Sequence, residues 1–171
     1  MDTHENLQEN KKAAFLRSYD EHSDALFRHC LFKISDRELA KDLVQETFAK
    51  AWVYISKGHT VANMRAFLYK TLNNLIIDEY RKKKSVSLDT MAEDGFDPKA
   101  ENLPNDSDIL DGARAISLLQ QLDEPYKDAV FLRYVNGLEI SEIAKITGNS
   151  ENTVSVHIHR GIKKLKELYE R

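Results

Sequence analysis

Residues 137–154 read GLEISEIAKITGNSENTV, two apolar-periodic segments on either side of a Gly-Asn-Ser break. Ile140, Ile143 and Ala144 fall on one side of a helix turning about 100° per residue. Gly148-Asn149-Ser150 then breaks the pattern, and Ser150 is a residue type that caps the next helix by accepting from its first N–H groups. Beyond the break, Val154, Ile158, Gly161, Ile162 and Leu165 share an inward side. Asn152, Val156, His159, Arg160 and Lys163 point the other way, with Ser155 beside them. The pattern predicts a helix-turn-helix whose second helix carries a polar, basic outer face. Such a helix suits a DNA major groove, with short residues for base edges and cations for phosphates. An ordinary helical hairpin with a solvated face shares the apolar spacing. Turn, cap, small residue and charge placement together favour DNA.

Outward from this motif the chain reads as all-α. Apolar residues recur at three and four, which predicts helices near 11–33, 36–56, 63–83, 112–123, 126–135, 139–147 and 151–169. Pro125 suits the first turn of a new helix, and Gly58 and Asn136-Gly137 mark breaks. Residues 85–112 lose the pattern. They hold Pro98, Pro104 and eight acids against one Lys, and are expected to form a flexible acidic linker. The expected organisation is a small helical domain at 1–84, the linker at 85–112, and a second helical domain at 113–171.

Net charge is −3 over 171 residues, which on its own speaks against a nucleic-acid partner. Divided by segment it reads differently. Residues 1–84 carry 15 Lys/Arg against 12 Asp/Glu, and residues 113–171 carry 9 against 8. The acidity sits in the linker. No apolar run approaches the roughly 20 residues of a membrane span, and the polar N-terminus has no signal-peptide core, so no membrane insertion is expected. The single Cys30 fits a reducing cytoplasm. His157 and His159 lie about 200° apart on their helix, so they do not converge on a metal. No nucleophile–base pair or phosphate-binding loop is present, so neither catalytic residues nor a cofactor are expected.

Two faces in the first half invite a choice. Asp42, Gln45 and Glu46 lie together opposite a stripe of Leu39, Leu43, Phe48, Ala51, Trp52 and Ile55. They read either as a solvated surface or as a charge-specific docking face. Helix 63–83 mixes Arg65, Tyr69, Lys70, Asn73, Asn74 and Tyr80 with the run Arg81-Lys82-Lys83-Lys84. Aromatics and amides among cations suit single-stranded nucleic acid. Core aromatics with a basic end favouring the helix dipole explain the same composition.

DLVQETFAKAW at 42–52, FLYKTLNNLIIDEYRKKK at 67–84 and the late GLEISEIAKITGNSENTV, in that order, resemble a bacterial sigma factor. Two domains joined by a short linker resemble the extracytoplasmic-function group. The resemblance implies a transcription-initiation subunit that binds core RNA polymerase and promoter DNA. Docking on the β′ clamp helices would fall to Asp42, Gln45, Glu46 and Phe48, and the β flap would be a further polymerase contact. The −10 element would be melted and held by His59, Thr60, Val61, Ala62 and Asn63 with Arg65, Lys70, Asn74 and Arg81. The −35 element would be read by Asn152, Ser155, Val156, His159, Arg160 and Lys163, with Arg133 on phosphate. An anti-sigma factor is an implied partner. Many members carry Arg or Lys where this chain has Ser155 and His157, so its −35 sequence does not follow from its relatives. The competing reading is a helix-turn-helix regulator that does not serve polymerase as a subunit; that class normally brings an α/β receiver.

Overall fold

The computed structural model describes residues 2–89 and 107–170. The elements are α1 (Asp2–Ile34), α2 (Arg37–Ser56), α3 (Met64–Asp89), α4 (Ser107–Gln120), α5 (Glu124–Val130), α6 (Ile140–Thr147) and α7 (Glu151–Tyr169). Helix α5 runs on into a π-helical turn at Phe131–Val135. Among the described residues there is no strand, as the all-α reading expects. The chain divides into two compact units, residues 1–95 and 96–171. Helix α3 continues to Asp89 and α4 begins at Ser107, so regular structure enters both ends of the span expected to link the domains. Residues 90–106, with both linker prolines, lie outside the described residues.

In the first unit, each helix boundary has a local cause. Ser35 takes φ 57, a left-handed value that stops α1. Asp36 then caps α2, its Oδ1 accepting from the Leu39 N–H at 3.0 Å. Gly58 at φ 93 closes the end of α2, and Asn63 caps α3 by accepting from the Ala66 N–H at 2.9 Å. The three helices pack pairwise. Leu26, Leu43, Leu68, Leu72 and Ile76 fill the centre. Burying each such side chain stabilises the fold by about 1.5–3 kcal/mol. Phe15 meets Phe48 edge-on at 6.1 Å, and Tyr19 covers the same ring at 4.6 Å.

His29 and Cys30 lie inside this unit. The His29 ring stands edge-on to Tyr69 at 5.4 Å. Burial, with Lys33 adding to it, holds the imidazole neutral down to about 3. Burial also pushes the Cys30 thiol up to about 12, which leaves almost no reactive thiolate.

In the second unit, α7 packs on α4, α5 and α6. Pro125 sits in the first turn of α5. Gly161 is the point of closest approach: a Cβ there would lie 2.5 Å from Val130 Cγ2 and 3.2 Å from the Tyr126 carbonyl oxygen. Lys164 forms an ion pair with Asp123 and lies 4.8 Å over the Tyr126 ring, so the same crossing is stapled at its rim. Arg114 covers Tyr169 at 4.7 Å where α4 meets α7.

Candidate nucleic-acid interface

The helix-turn-helix forms as α6 and α7. Gly148 ends α6 at φ 72, and Ser150 Oγ accepts from the Thr153 N–H at 3.1 Å. At the start of α6 the carboxylate of Glu142 turns back to accept from the Glu139 N–H at 2.9 Å. Both helices of the hairpin therefore begin on a side-chain cap. Val154 and Gly161 are buried, and Ile158, Ile162 and Leu165 are half-buried. Asn152, Val156, His159, Arg160 and Lys163 are exposed on the opposite side, and Ser155 is exposed at its edge. Ser155 Oγ donates to the Glu151 carbonyl at 2.9 Å, which leaves its lone pairs outward as acceptors. His157 is half-buried with its ring edge-on to Tyr126 at 5.7 Å, so it belongs to the packing of α5 on α7.

Arg133 stands apart from this face. It projects from the π-helical turn, donates to the Leu138 carbonyl at 2.9 Å and lies 3.1 Å from a carboxylate oxygen of Glu139. Its side chain is about one-third exposed, so part of the guanidinium reaches solvent.

A second basic face lies on α3. Lys70, Asn74 and Arg81 fall within about 40° of one another around the helix, and all three are exposed. Arg81 is 3.7 Å from Asp78 with both side chains largely in water, a pairing worth little. Arg65 does not join them. It lies about 160° away, on the packed side, half-buried and near enough to Tyr69 for its charge to act on that hydroxyl. In the loop before α3, His59, Thr60, Ala62 and Asn63 are exposed and Val61 is half-buried. The Asn63 side chain is engaged in capping.

Sequence reasoning missed the rings beside that loop. Tyr54, on the last turn of α2, stacks on His59 with centroids 4.4 Å apart, and meets Phe67 at 5.1 Å. Phe67 sits one turn before Lys70 on the same side of α3.

The third face is on α2. Asp42, Gln45 and Glu46 are exposed together, and Glu46 pairs with Lys50 at 3.3 Å. Phe48 is buried, 4% exposed, and supports this helix from beneath. Ala49 and Val53 share the outer side, and Val53 is 49% exposed; their spacing of seven and eleven from Asp42 carried that signal in the sequence. Among the described residues no cluster of three His, Cys, Asp or Glu is able to hold a metal ion.

Comparison with known proteins maps these faces onto family regions. Residues 18–86 match the model of Sigma-70 region 2, and residues 113–165 match that of Sigma-70 region 4. The chain is 26% identical to the ECF RNA polymerase sigma factor BldN of Streptomyces coelicolor over 98% of its own length, spanning 65% of that relative. It is 29% identical to the ECF RNA polymerase sigma factor SigL of Mycobacterium tuberculosis, over 91% of this chain and 89% of the other. In fold it is similar to the sigma factor RpoE of Bartonella quintana, solved in complex with the anti-sigma factor NepR. The TM-score is 0.73 at 23% identity, over 92% of this chain and 97% of the other.

Proposed function

The chain belongs to the sigma-70 family of RNA polymerase sigma factors, in its extracytoplasmic-function group, and from that membership we propose how its three faces work in promoter recognition. It acts as an alternative, non-catalytic specificity subunit that joins core RNA polymerase in the cytoplasm and directs it to particular promoters. Among the described residues no helix is long and apolar enough to cross a membrane.

The α2 face of Asp42, Gln45 and Glu46 docks on the β′ clamp helices, carried by the buried Phe48. The loop at His59–Asn63 and the α3 row of Lys70, Asn74 and Arg81 hold an unpaired −10 strand. Arg65, on the packed side of that helix, stands outside this row. The α7 face reads the −35 duplex, through Arg160 and His159 as donors, Asn152 and Ser155 as short polar groups and Val156 as an apolar contact. Lys163 engages phosphate, and Arg133 joins it once its bond to Glu139 yields. The β flap is the second polymerase contact, and an anti-sigma protein of the kind seen with RpoE is the natural regulator.

The observation that carries this reading is the order of two exposed basic faces, one on α3 within the region 2 span and one on α7 within the region 4 span. A response regulator would need an α/β receiver, and the described part of the first unit is helical without a strand. The test is a mobility shift on promoter DNA selected from random duplexes by the reconstituted holoenzyme. Retention by chain plus core polymerase, with little by either alone, is expected; the modest excess of cations on each flank makes the free chain a poor DNA binder. Tight specific retention by the chain alone, without polymerase association, would overturn the proposal.

A further inference from the structure

Between Glu151 and Lys163 the exposed residues of α7 are polar or charged, with Val156 as the exception. It is 38% exposed and central to the outer face. Lys163 lies about 20° from it around the helix, Asn152 and Arg160 about 40°, and His159 about 60°. At an exposed helix position packing does not decide the residue, and a β-branched side chain is a poorer helix former than Ala, Lys or Glu. A local choice that the fold does not require points to a contact outside the fold. Three features shape that contact. Ser150 caps α7 by accepting from the Thr153 N–H at 3.1 Å, so Val156 sits in the second turn, near the end of such a helix that reaches base edges. Ser155, at the edge of the face, is short and spends its hydroxyl hydrogen on the Glu151 carbonyl at 2.9 Å, so no long side chain covers Val156 from that flank. Valine in a helix holds essentially one rotamer, so its methyl groups lose little freedom on contact. The base edges of a major groove offer donors, acceptors and one apolar group, the 5-methyl of thymine.

We propose that Val156 reads a pyrimidine 5-methyl group in the −35 duplex and so selects thymine at one position of the element. The proposal rests on the reading of α7 as the −35 face and names the base feature that its apolar side chain takes. Cytosine carrying a 5-methyl group presents the same carbon at the same edge of the groove. Val156 therefore also distinguishes methylated from unmethylated cytosine when one stands at that position. Asn152, His159 and Arg160 engage hydrogen-bonding groups, and their readout does not depend on the methyl.

The test uses holoenzyme and a duplex carrying its selected −35 element, with deoxyuridine replacing each thymine of both strands in turn. That exchange removes the methyl and keeps the base pair and its hydrogen-bonding groups. For the wild type, one position is expected to lose about fourfold in affinity, what one buried hydrocarbon carbon is worth. Val156→Ser is expected to bind the thymine and deoxyuridine duplexes equally, while Val156→Ile keeps the preference for thymine. The thymine-to-uracil ratio is read within each variant, so a general loss of binding does not move it. With a cytosine–guanine pair at the same position, 5-methylation of the cytosine is expected to tighten wild-type binding by about the same factor and to leave Val156→Ser unchanged. A wild-type scan with no sensitive position, a Val156→Ser holoenzyme with the wild-type ratio, or a wild type indifferent to cytosine methylation overturns the methyl reading. A wild-type holoenzyme whose affinity is the same on a scrambled −35 element overturns the −35 reading of α7 beneath it as well.

Discussion

Arg133 is bound to Glu139 across the start of α6, guanidinium nitrogen to carboxylate oxygen at 3.1 Å, and the same nitrogen donates to the Leu138 carbonyl at 2.9 Å. A phosphate must compete with that carboxylate for the exposed part of the guanidinium. Glu139 is largely in water, so the competition is mild. Glu139→Gln is expected to raise holoenzyme affinity for −35 DNA by about 1.4- to fivefold, since an exposed ion pair contributes about 0.2–1 kcal/mol. It should also steepen the salt dependence by about one counterion. The gain should vanish in an Arg133→Ala background. A gain that survives there would place its origin elsewhere.

Gly161 is required by the crossing of α5 on α7. Gly161→Ala puts a methyl 2.5 Å from Val130 Cγ2, and the Tyr126 carbonyl oxygen behind it is backbone with little room to give. Overpacking of this kind costs about 1–3 kcal/mol. Urea unfolding should show that loss, and Val130→Ala in the same chain should recover part of it. Equal midpoints for Gly161→Ala and wild type would mean that the helices slide apart at no cost.

The first unit should be acid-sensitive through His29. In the folded chain burial, reinforced by Lys33, lowers its pKa from 6.5 to about 3, so the ring stays neutral. Below pH 6.5 the unfolded chain takes up a proton that the folded chain does not. The His29 contribution is therefore complete above pH 6.5 and is lost as pH falls toward 3, at up to about 1.4 kcal/mol per pH unit. Chemical unfolding between about pH 7 and 5 is expected to show a shallower decline for His29→Gln than for wild type. Parallel declines would remove His29 as the source.

The α7 and α3 faces should fail at different steps. Arg160→Ala should weaken holoenzyme binding to duplex −35 DNA by about 1–3 kcal/mol if Arg160 reads a base edge. Asn74→Ala should leave duplex binding nearly intact and reduce strand opening, read by permanganate reactivity of unpaired thymines. An Asn74→Ala complex opened as fully as wild type would remove Asn74 from the −10 strand.

Helical periodicity made most of this molecule legible. One inward stripe from Val154 to Leu165 placed every outer residue of α7, and Ser150 and Gly148 behave as their residue types require. The same arithmetic separates Arg65 from Lys70 and Arg81, with which the family resemblance groups it. Phe48 was legible as core from its stripe, and its exposure bears out that part of the reading alone. The Tyr54–His59 stack was not legible, because it depends on how Gly58 turns the chain between two helices. Nor was the Arg133–Glu139 pair. A π-helical turn shifts the register by one residue, with the Asn136 N–H bonded to the Phe131 carbonyl, and nothing in FLRYVNG marks that shift. The ends of α1, α3 and α4 run past the apolar pattern because backbone hydrogen bonding continues after side-chain periodicity has stopped.

Whether this chain confers promoter choice on polymerase is measured most directly by multi-round run-off transcription. The reaction holds host core polymerase, the full chain and a linear template carrying a promoter selected by the holoenzyme. A transcript of one discrete length is expected that needs both proteins and disappears when Asp42, Gln45 and Glu46 are replaced together by Ala. Absence of any chain-dependent transcript, with the chain bound to its DNA site and not to polymerase, would contradict that role.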